Sequence, residues 1–391
     1  MKHFDTSDVM KRLPTQFFAK LVGKAAKVAA DGHDIINLGQ GNPDQPTPSH
    51  IVSAMQTATE NPQYHKYSPF QGYDFLKEAI ATFYKREYDV NLDPKTEVAI
   101  LFGGKVGLVE ISQCLLNAGD LALVPDPGYP DYLSGISMAN ARIETMALNR
   151  GNNFLPDYSK LSEQALSDAK LMFLNYPNNP TAGVATADFF AETVSLAEEH
   201  NICVLHDFAY GGIGFNGKKP VSFLQAAGAK DTGVEIYTMS KTYNMAGWRV
   251  GFVLGNQSVI KMINTLQDHF YVSLFGAVQE AAAAALLGPQ DCVEDLVKTY
   301  QSRRDVFING LQEIGWNVKA PEGSFFAWLP VPEGYSSESF ADLLLEKAHV
   351  VVAPGVGFGE NGEGYVRAGL LTSEERLQEA VDRIRRLHLF D

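Results

Sequence analysis

Cysteine is scarce in this sequence, and the few thiols stand far apart. Cys114, Cys203 and Cys292 are the only cysteines among 391 residues, and each lies in an apolar or helical setting. Disulfide frameworks and zinc sites need cysteines in close or regular pairs. The spacing therefore predicts reduced thiols in a cytoplasmic protein, with no disulfide and no metal site.

Positive charge is also in short supply. The chain has 32 lysines and arginines against 46 aspartates and glutamates, a formal net charge of -14. A protein that binds nucleic acid or anionic lipid needs a basic face to neutralise phosphates. We therefore expect no nucleic acid and no membrane surface as partner, and a small molecule instead.

Long apolar runs are missing as well. The longest run of alanine and leucine covers residues 281–287, whereas a helix that spans a bilayer needs about 20 apolar residues. The first residues, MKHFDTSDVMKRLPTQFF, include early acids and no apolar core of a signal peptide. We expect neither a membrane anchor nor a targeting segment.

Short apolar runs do occur, and from about residue 97 they alternate with helical patterns. They lie at residues 98–102, 121–124, 171–174, 202–205 and 234–238. Near-continuous apolar strands separated by helices are typical of a mostly parallel sheet with helices on both faces. We therefore predict an α/β protein in which a three-layer αβα large domain (46–288) is joined by a smaller α+β domain (289–391), and residues 1–45 form an arm and part of the smaller domain.

Polar residues follow these runs, at the points where the predicted strands end. In parallel sheets, ligands bind outside the carboxyl ends of the strands. We therefore expect a binding site formed by Gly103, Gly104, Lys105, Tyr129, residues 175–181, Asp207, Tyr210, Ser240 and Lys241.

Lys241 is the most informative of these residues. It follows the apolar run 234–238 and precedes small and aromatic residues rather than charges. A lysine amine has a pKa of roughly 10.4, so it is nucleophilic at neutral pH only if it is desolvated, close to other cations or held in a Schiff base. The alternative is an ordinary lysine whose amine reaches water along an apolar surface.

Residues near Lys241 in the predicted site suit a phosphate group. Gly103 and Gly104 precede a predicted helix at 106–116, and free N–H groups at a helix start bind phosphate. Ser240 adds a hydroxyl donor and Arg249 a positive charge. Each residue alone is equally consistent with a helix cap or a loop, but together they indicate a phosphate site.

Two more charged residues stand in apolar strands. Asp207 ends a buried run, where a carboxylate needs a cationic partner such as a protonated pyridine nitrogen or an arginine. Tyr210 lies close enough in sequence to donate to a ring oxygen of the same ligand. Arg367 suits bidentate binding of a carboxylate, with an internal salt bridge as the alternative. With Lys241, these residues indicate pyridoxal 5'-phosphate acting on an α-amino acid.

Two segments match the G-x-G-x-x-G pattern of dinucleotide-binding proteins. Residues 212–217 run into Lys218, Lys219 and Pro220, and residues 357–362 run into a predicted strand. Neither segment opens a helix directly after a strand, so the helix start that would hold a pyrophosphate is missing. We therefore do not expect nicotinamide binding.

Four motifs carry a family resemblance. They are YPNNPTAG (176–183), HDFAY (206–210), SKTYNMAGWRVG (240–251) and EGYVRAGL (363–370). In their order and spacing the sequence resembles the class I aminotransferases of the fold-type I pyridoxal-phosphate superfamily, over nearly the whole chain. The resemblance implies a homodimer with shared active sites that exchanges an amino group between an amino acid and a 2-oxo acid by a ping-pong mechanism.

The resemblance also implies a role for each site residue. Lys241 forms the Schiff base and carries the proton between substrate and cofactor, and Asp207 faces the pyridine nitrogen. Other residues implied to contact the cofactor are Gly104, Lys105, Tyr129, Asn179, Tyr210, Ser240, Arg249 and, from the neighbouring subunit, Tyr67. The substrate carboxylate is implied to bind Arg367, near Gly41 and Asn179.

The sequence departs from the family pattern near Asn179. The family commonly has glycine where this chain has Ala182, so the glycine is displaced by one position and the turn is expected to differ slightly. Thr238 stands where many relatives have serine. Lys105 is unusual beside a phosphate site, and because a lysine here meets a distal carboxylate in some relatives, dicarboxylic amino acids such as aspartate or diaminopimelate stay open as substrates.

The segment QGNPDQPTP and the aromatic pair Phe17–Phe18 are similar to bacterial aminotransferases of methionine salvage and to the related diaminopimelate-forming enzymes. We favour the former, which implies amination of 4-methylthio-2-oxobutanoate to methionine. A carbon–sulfur β-lyase would use nearly the same residues and stays an alternative. A cofactor-sensing regulator would need an added DNA-binding segment, and a binding module without activity would have no need of Lys241, Asp207 and Arg367 together.

Overall fold

A computed structural model describes residues 2–15 and 17–390, with only the backbone of residues 17–19. The strands are β1 (Ile36–Asn37), β2 (Val98–Leu101), β3 (Leu121–Asp126), β4 (Arg142–Ala147), β5 (Ala169–Leu174), β6 (Cys203–Asp207), β7 (Gly233–Thr238), β8 (Gly251–Gly255), β9 (Phe326–Pro330), β10 (Val350–Val351), β11 (Ala353–Pro354) and β12 (Tyr365–Gly369).

The helices alternate with the strands over most of the chain. They are α1 (Asp8–Arg12), α2 (Phe17–Ala30), α3 (Ser49–Thr59), α4 (Asp74–Tyr88), α5 (Gly104–Leu115), α6 (Tyr132–Ala139), α7 (Glu163–Asp168), α8 (Ala187–His200), α9 (Ala229–Thr232), α10 (Met239–Thr242), α11 (Gln257–Phe270), α12 (Gly276–Leu287), α13 (Asp291–Glu313), α14 (Ser337–Leu343) and α15 (Glu374–Arg385). A π-helical turn, Leu344–Ala348, continues α14.

The largest sheet has seven strands in the order β2-β8-β7-β6-β5-β3-β4. Strands β4, β3, β5, β6 and β7 are parallel, whereas β8 pairs antiparallel with both β7 and β2. Strand β2 shows that the sheet is covered on both faces. Val98 and Ile100 belong to one hydrophobic core, and Ala99 and Leu101 belong to another. The predicted three-layer αβα arrangement with a mostly parallel sheet is confirmed.

A third core surrounds the sheet of β11, β12 and β9, which is antiparallel. Residues from the start of the chain join it, because Ile36 of β1 pairs in parallel with Val350 of β10. Lys24 of α2 also forms an ion pair with Asp342, at 2.6 Å. The predicted boundaries at residues 45 and 288 stay a prediction, and the side chains of Phe17 and Phe18 lie outside what the structure describes.

Two strands of the large sheet were not predicted from the sequence. Strand β4 is an edge strand whose side chains are exposed except for that of Met146, so it has no apolar run. Strand β8 is buried, but it begins and ends with glycine and starts two residues after Arg249, so its apolar run is brief. Across the described part of the chain, no helix combines the length and apolarity needed to cross a bilayer.

The turn after Asn179 contains a strained alanine. Ala182 has a φ of 57°, the left-handed region in which side chains other than glycine cost about 1–2 kcal/mol. Asn178 fixes the turn, because its Oδ1 accepts from the backbone N of Thr181 at 3.0 Å and its backbone O accepts from the N of Ala182 at 2.9 Å. These hydrogen bonds close the turn, and its left-handed residue is Ala182, one position before Gly183.

We expect Ala182→Gly to stabilise the protein by about 0.5–1 kcal/mol. Relief of the left-handed strain exceeds the entropy that glycine adds to the unfolded chain, which costs about 0.4–1 kcal/mol. Denaturant unfolding of the cofactor-free protein measures the effect. Ala185→Gly is the matched control, because Ala185 is buried nearby without a positive φ and should lose stability. A loss of stability in both variants would contradict the account.

Candidate active site

One cavity of about 540 Å³ opens at the carboxyl ends of the parallel strands. Of the residues to which the resemblance gives a role, all but Tyr67 line it: Gly41, Gly104, Lys105, Tyr129, Asn179, Asp207, Tyr210, Ser240, Lys241, Arg249 and Arg367. Gly103 and most of residues 175–181 do not line it. Most come from segments that follow β2, β3, β5, β6 and β7, whereas Arg367 comes from β12. The cavity therefore lies between the two sheets.

Lys241 stands in the short helix α10, directly after the buried strand β7. The side chain of Thr238 accepts from the backbone N of Ser240 and so starts the turn that places Lys241 in the cavity. The Lys241 Nζ donates to the backbone O of Gly41, at 3.0 Å. Burial, with the nearby charges of Arg367 and Arg249, lowers the pKa of Lys241 to about 8.

Asp207 ends β6 and is buried. Its Oδ2 accepts from the Tyr132 hydroxyl at 3.0 Å, and its backbone O accepts from the Asn175 side chain at 2.7 Å. Burial raises the pKa of Asp207 to about 6, although the Tyr132 hydrogen bond and the nearby His206 oppose the rise. A cation against this carboxylate would stabilise its ionised form.

The start of α5 lies against Arg249. Gly103 is the N-cap residue of this helix and has a φ of 84°. As a glycine it has no side chain to accept from the N–H groups of the first turn. A Cβ at Gly103 would lie 2.5 Å from Nη2 of Arg249, so glycine is required for the guanidinium to approach the helix start. Ser240 adds a hydroxyl that Thr238 holds by a hydrogen bond of 2.9 Å. Backbone N–H groups, a hydroxyl and a guanidinium thus meet at one end of the cavity.

Arg367 is buried in β12 and faces the cavity. Its Nη1 donates to Oδ1 of Asn179 at 2.8 Å, and its Nη2 donates to the backbone O of Gly39 at 3.0 Å. The guanidinium also lies over the Phe326 ring, 4.0 Å from the centroid. Burial lowers the pKa of Arg367 to about 10, so it remains a cation at neutral pH.

Two predicted cofactor contacts differ in exposure. Tyr210 is 4% exposed and packs edge-on against Phe325 and Phe326. Tyr67 is 91% exposed and does not line the cavity of its own chain. The cavity of a single chain therefore does not include Tyr67 among its lining residues.

Sequence reasoning missed several residues that shape the cavity. Tyr132 holds Asp207, and the Asp131 carboxylate forms an ion pair with Nζ of Lys105 at 2.9 Å. The ring of Phe325 lies 5.6 Å from Nζ of Lys241. The motif Tyr-Pro-Asp-Tyr after β3 was the available signal for Asp131 and Tyr132, since both follow a strand end.

The residues present fit pyridoxal 5'-phosphate. A buried carboxylate that gains from a cation is suited to a protonated pyridine nitrogen, and a buried amine of lowered pKa is suited to an imine. The cradle of Gly103, Ser240 and Arg249, which a Cβ at Gly103 would fill, is suited to the phosphate. All three features line or border the same cavity.

Comparisons with known proteins agree with this chemistry. Residues 33–384 match the family model described as aminotransferase class I and II. The chain is 65% identical to the L-glutamine–4-(methylsulfanyl)-2-oxobutanoate aminotransferase of Bacillus subtilis, over 99% of this chain and 97% of that protein. It is 44% identical to the LL-diaminopimelate aminotransferase of Moorella thermoacetica, over 97% of each chain.

A solved structure is similar over the same length. The substrate-bound structure of BacF from Bacillus subtilis superimposes with a TM-score of 0.94 at 52% sequence identity, covering 99% of this chain and 98% of that chain. The likeness therefore extends across both sheets and the cavity between them.

The lowered pKa of Lys241 predicts how its labelling depends on pH. In the cofactor-free protein, pyridoxal and borohydride should label Lys241 at a rate that rises through pH 8 and levels off above it, because only the neutral amine reacts. Quantitative peptide mapping across pH 6–11 measures the midpoint. A midpoint above pH 10, or no label on Lys241, would contradict the assignment.

Two variants sharpen this measurement. Arg367→Ala should move the midpoint upward, because the cation that favours the neutral amine is removed. Arg385→Ala removes an exposed arginine of α15 and should leave the midpoint where it is.

Proposed function

The chain belongs to the class I and II aminotransferase family and is a pyridoxal-phosphate-dependent aminotransferase, and we propose that it transfers the amino group of glutamine to 4-methylthio-2-oxobutanoate, forming methionine. The convergence of Lys241, Asp207 and Arg367 in one cavity carries the amino-transfer chemistry. The 65% identity to the glutamine-dependent enzyme of Bacillus subtilis supports the choice of substrates.

Arg367 and Asn179 bind the substrate α-carboxylate in this proposal. The guanidinium already lies between the Asn179 side chain and the Gly39 carbonyl, so its orientation is fixed before a substrate arrives. A planar guanidinium can then donate to both carboxylate oxygens. Gly41 leaves room beside it, because a Cβ there would lie 3.1 Å from the Phe326 ring.

Lys241 does the covalent and proton-transfer work. When bound, pyridoxal phosphate supplies an electron sink that allows the Cα proton of an amino acid to be removed. The Lys241 amine would hold the cofactor covalently and, once free, would carry the proton at Cα. Burial lowers the pKa of this amine to about 8, so a larger fraction of it is neutral near pH 8 than of an exposed lysine, as a general base requires.

The remaining site residues hold the cofactor in this proposal. Asp207, fixed by Tyr132, would keep the pyridine nitrogen protonated, and Asn179 and Tyr210 would donate to the ring oxygen. Tyr129 would pack against the ring. Gly104, the backbone of Lys105, Ser240 and Arg249 would hold the phosphate. Tyr67, which is exposed and does not line the cavity of its own chain, would contact the phosphate bound in the neighbouring subunit of a homodimer. The free thiols of Cys114, Cys203 and Cys292 suit a cytoplasmic location.

Substitutions of Lys241 and Arg367 should separate catalysis from substrate binding. Lys241→Ala should lower transamination by at least about 10³-fold, because both the covalent bond and the proton carrier are lost, while the phosphate contacts retain some cofactor. Arg367→Ala should raise the KM for amino acids on the order of 100-fold, because a charged hydrogen-bond donor is lost, and should keep the cofactor covalently attached.

Absorption spectra after gel filtration, together with steady-state kinetics, distinguish the two outcomes. Lys298→Ala, in an exposed part of α13, is the control and should behave like the unaltered protein. An equal loss of cofactor from the Lys241 and Arg367 variants would contradict this division of roles.

A screen of half-reactions tests the substrates. The holoenzyme is mixed with single amino acids, and the change in the cofactor spectrum is followed without an acceptor. We expect glutamine and methionine to react fastest, at least about tenfold faster than diaminopimelate, the substrate class of the 44% identical relative. Ammonia and pyruvate from cystathionine, without transfer to any 2-oxo acid, would overturn the proposal in favour of a β-lyase.

A further inference from the structure

An ion pair stands in the cavity wall beyond the cofactor contacts. Lys105, at the start of α5, and Asp131, just before α6, both line the cavity, and Nζ of Lys105 lies 2.9 Å from Oδ2 of Asp131. The two residues come from segments that follow β2 and β3, so the pair joins separate parts of the large sheet. Arg367 enters the same cavity from the other sheet.

The two partners differ in burial. The Asp131 side chain is 11% exposed, whereas the Lys105 side chain is 51% exposed. Asp131 also faces the hydroxyl of Tyr129, whose pKa is raised by burial and by this carboxylate. Asp131 is thus a fixed acceptor, and Lys105 is a mobile donor that can move aside for a ligand without leaving the carboxylate.

A neighbouring donor and acceptor of this kind match a primary carboxamide. The amide oxygen accepts from an ammonium group, and the amide NH₂ donates to a carboxylate. A substrate carboxylate in the same place would also accept from Lys105 but would face the negative charge of Asp131, and like charges this close in a poorly solvated site are strongly unfavourable. An apolar thioether chain carries no charge and leaves the ion pair closed.

We propose that the Lys105–Asp131 pair selects an amino donor with an uncharged carboxamide side chain over a donor with a side-chain carboxylate. The inference rests on the proposed function, since it explains how one cavity uses glutamine as donor and the thioether acid as acceptor. The side chains of glutamine and of the thioether acid are both neutral. The Lys105–Asp131 pair adds no net charge to the cavity.

Asp131→Asn and Lys105→Met should act in opposite directions on glutamate. Asp131→Asn removes the repulsion and leaves the cation, so kcat/KM for glutamate should rise roughly tenfold relative to that for glutamine. Lys105→Met leaves the carboxylate unpaired, so kcat/KM should fall for both donors, and further for glutamate. Lys105→Arg keeps the cation and should retain the preference for glutamine.

The measurement is made on the holoenzyme by single-turnover spectroscopy with glutamine or glutamate alone. Because no acceptor is present, failure to use 4-methylthio-2-oxobutanoate would count against the proposed function without affecting this result. A glutamine-to-glutamate ratio unchanged in both Asp131→Asn and Lys105→Met would overturn the inference.

A binding measurement without catalysis provides a second test. Glutarate and its monoamide lack an amino group and cannot react, so their effect on the melting temperature of the holoenzyme reports binding alone. The monoamide should stabilise the unaltered protein more than glutarate does, and Asp131→Asn should reverse or abolish this difference. Equal stabilisation of the unaltered protein by both ligands would contradict the inference.

Discussion

Burial of charge is the constraint on which this site depends. Lys241, Asp207 and Arg367 each end or interrupt an apolar strand, and desolvation shifts the pKa of each toward its neutral form. Such positions are costly in a folded protein. Asp207 and Lys241 each oppose the pKa shift of the other, and a ligand that brings a cation to Asp207 and a carboxylate to Arg367 would stabilise the ionised forms of both.

The two sheets must hold a fixed distance for this arrangement to exist, and the ion pair between Arg303 and Asp44 contributes to that. Arg303 of α13 donates to both carboxylate oxygens of Asp44, at 2.9 and 2.8 Å, and to the backbone O of Leu370. These bonds tie the loop that contains Gly41 to the smaller lobe. The β1–β10 pairing fixes the same loop from its other end. Residues 36–44 thus pack with the smaller domain, which is formed mainly by the last hundred or so residues.

Buried parallel strands gave the clearest signal in the sequence, and the site was predictable because its residues follow those strands. The exposed edge strand β4 carries no apolar run, so periodicity could not find it. Asp131 and Tyr132 begin a helix in an unremarkable loop, and their importance comes from partners that are distant in sequence, Lys105 and Asp207. The left-handed conformation of Ala182 was equally hidden, because alanine gives no indication of it.

The segment from Gly39 to Gly41 receives hydrogen bonds from both key cations. Arg367 donates to the carbonyl of Gly39, and Lys241 donates to that of Gly41. One short segment thus accepts from β12 on one side of the cavity and from the turn after β7 on the other. A substitution that moved this segment would therefore disturb the positions of both cations together.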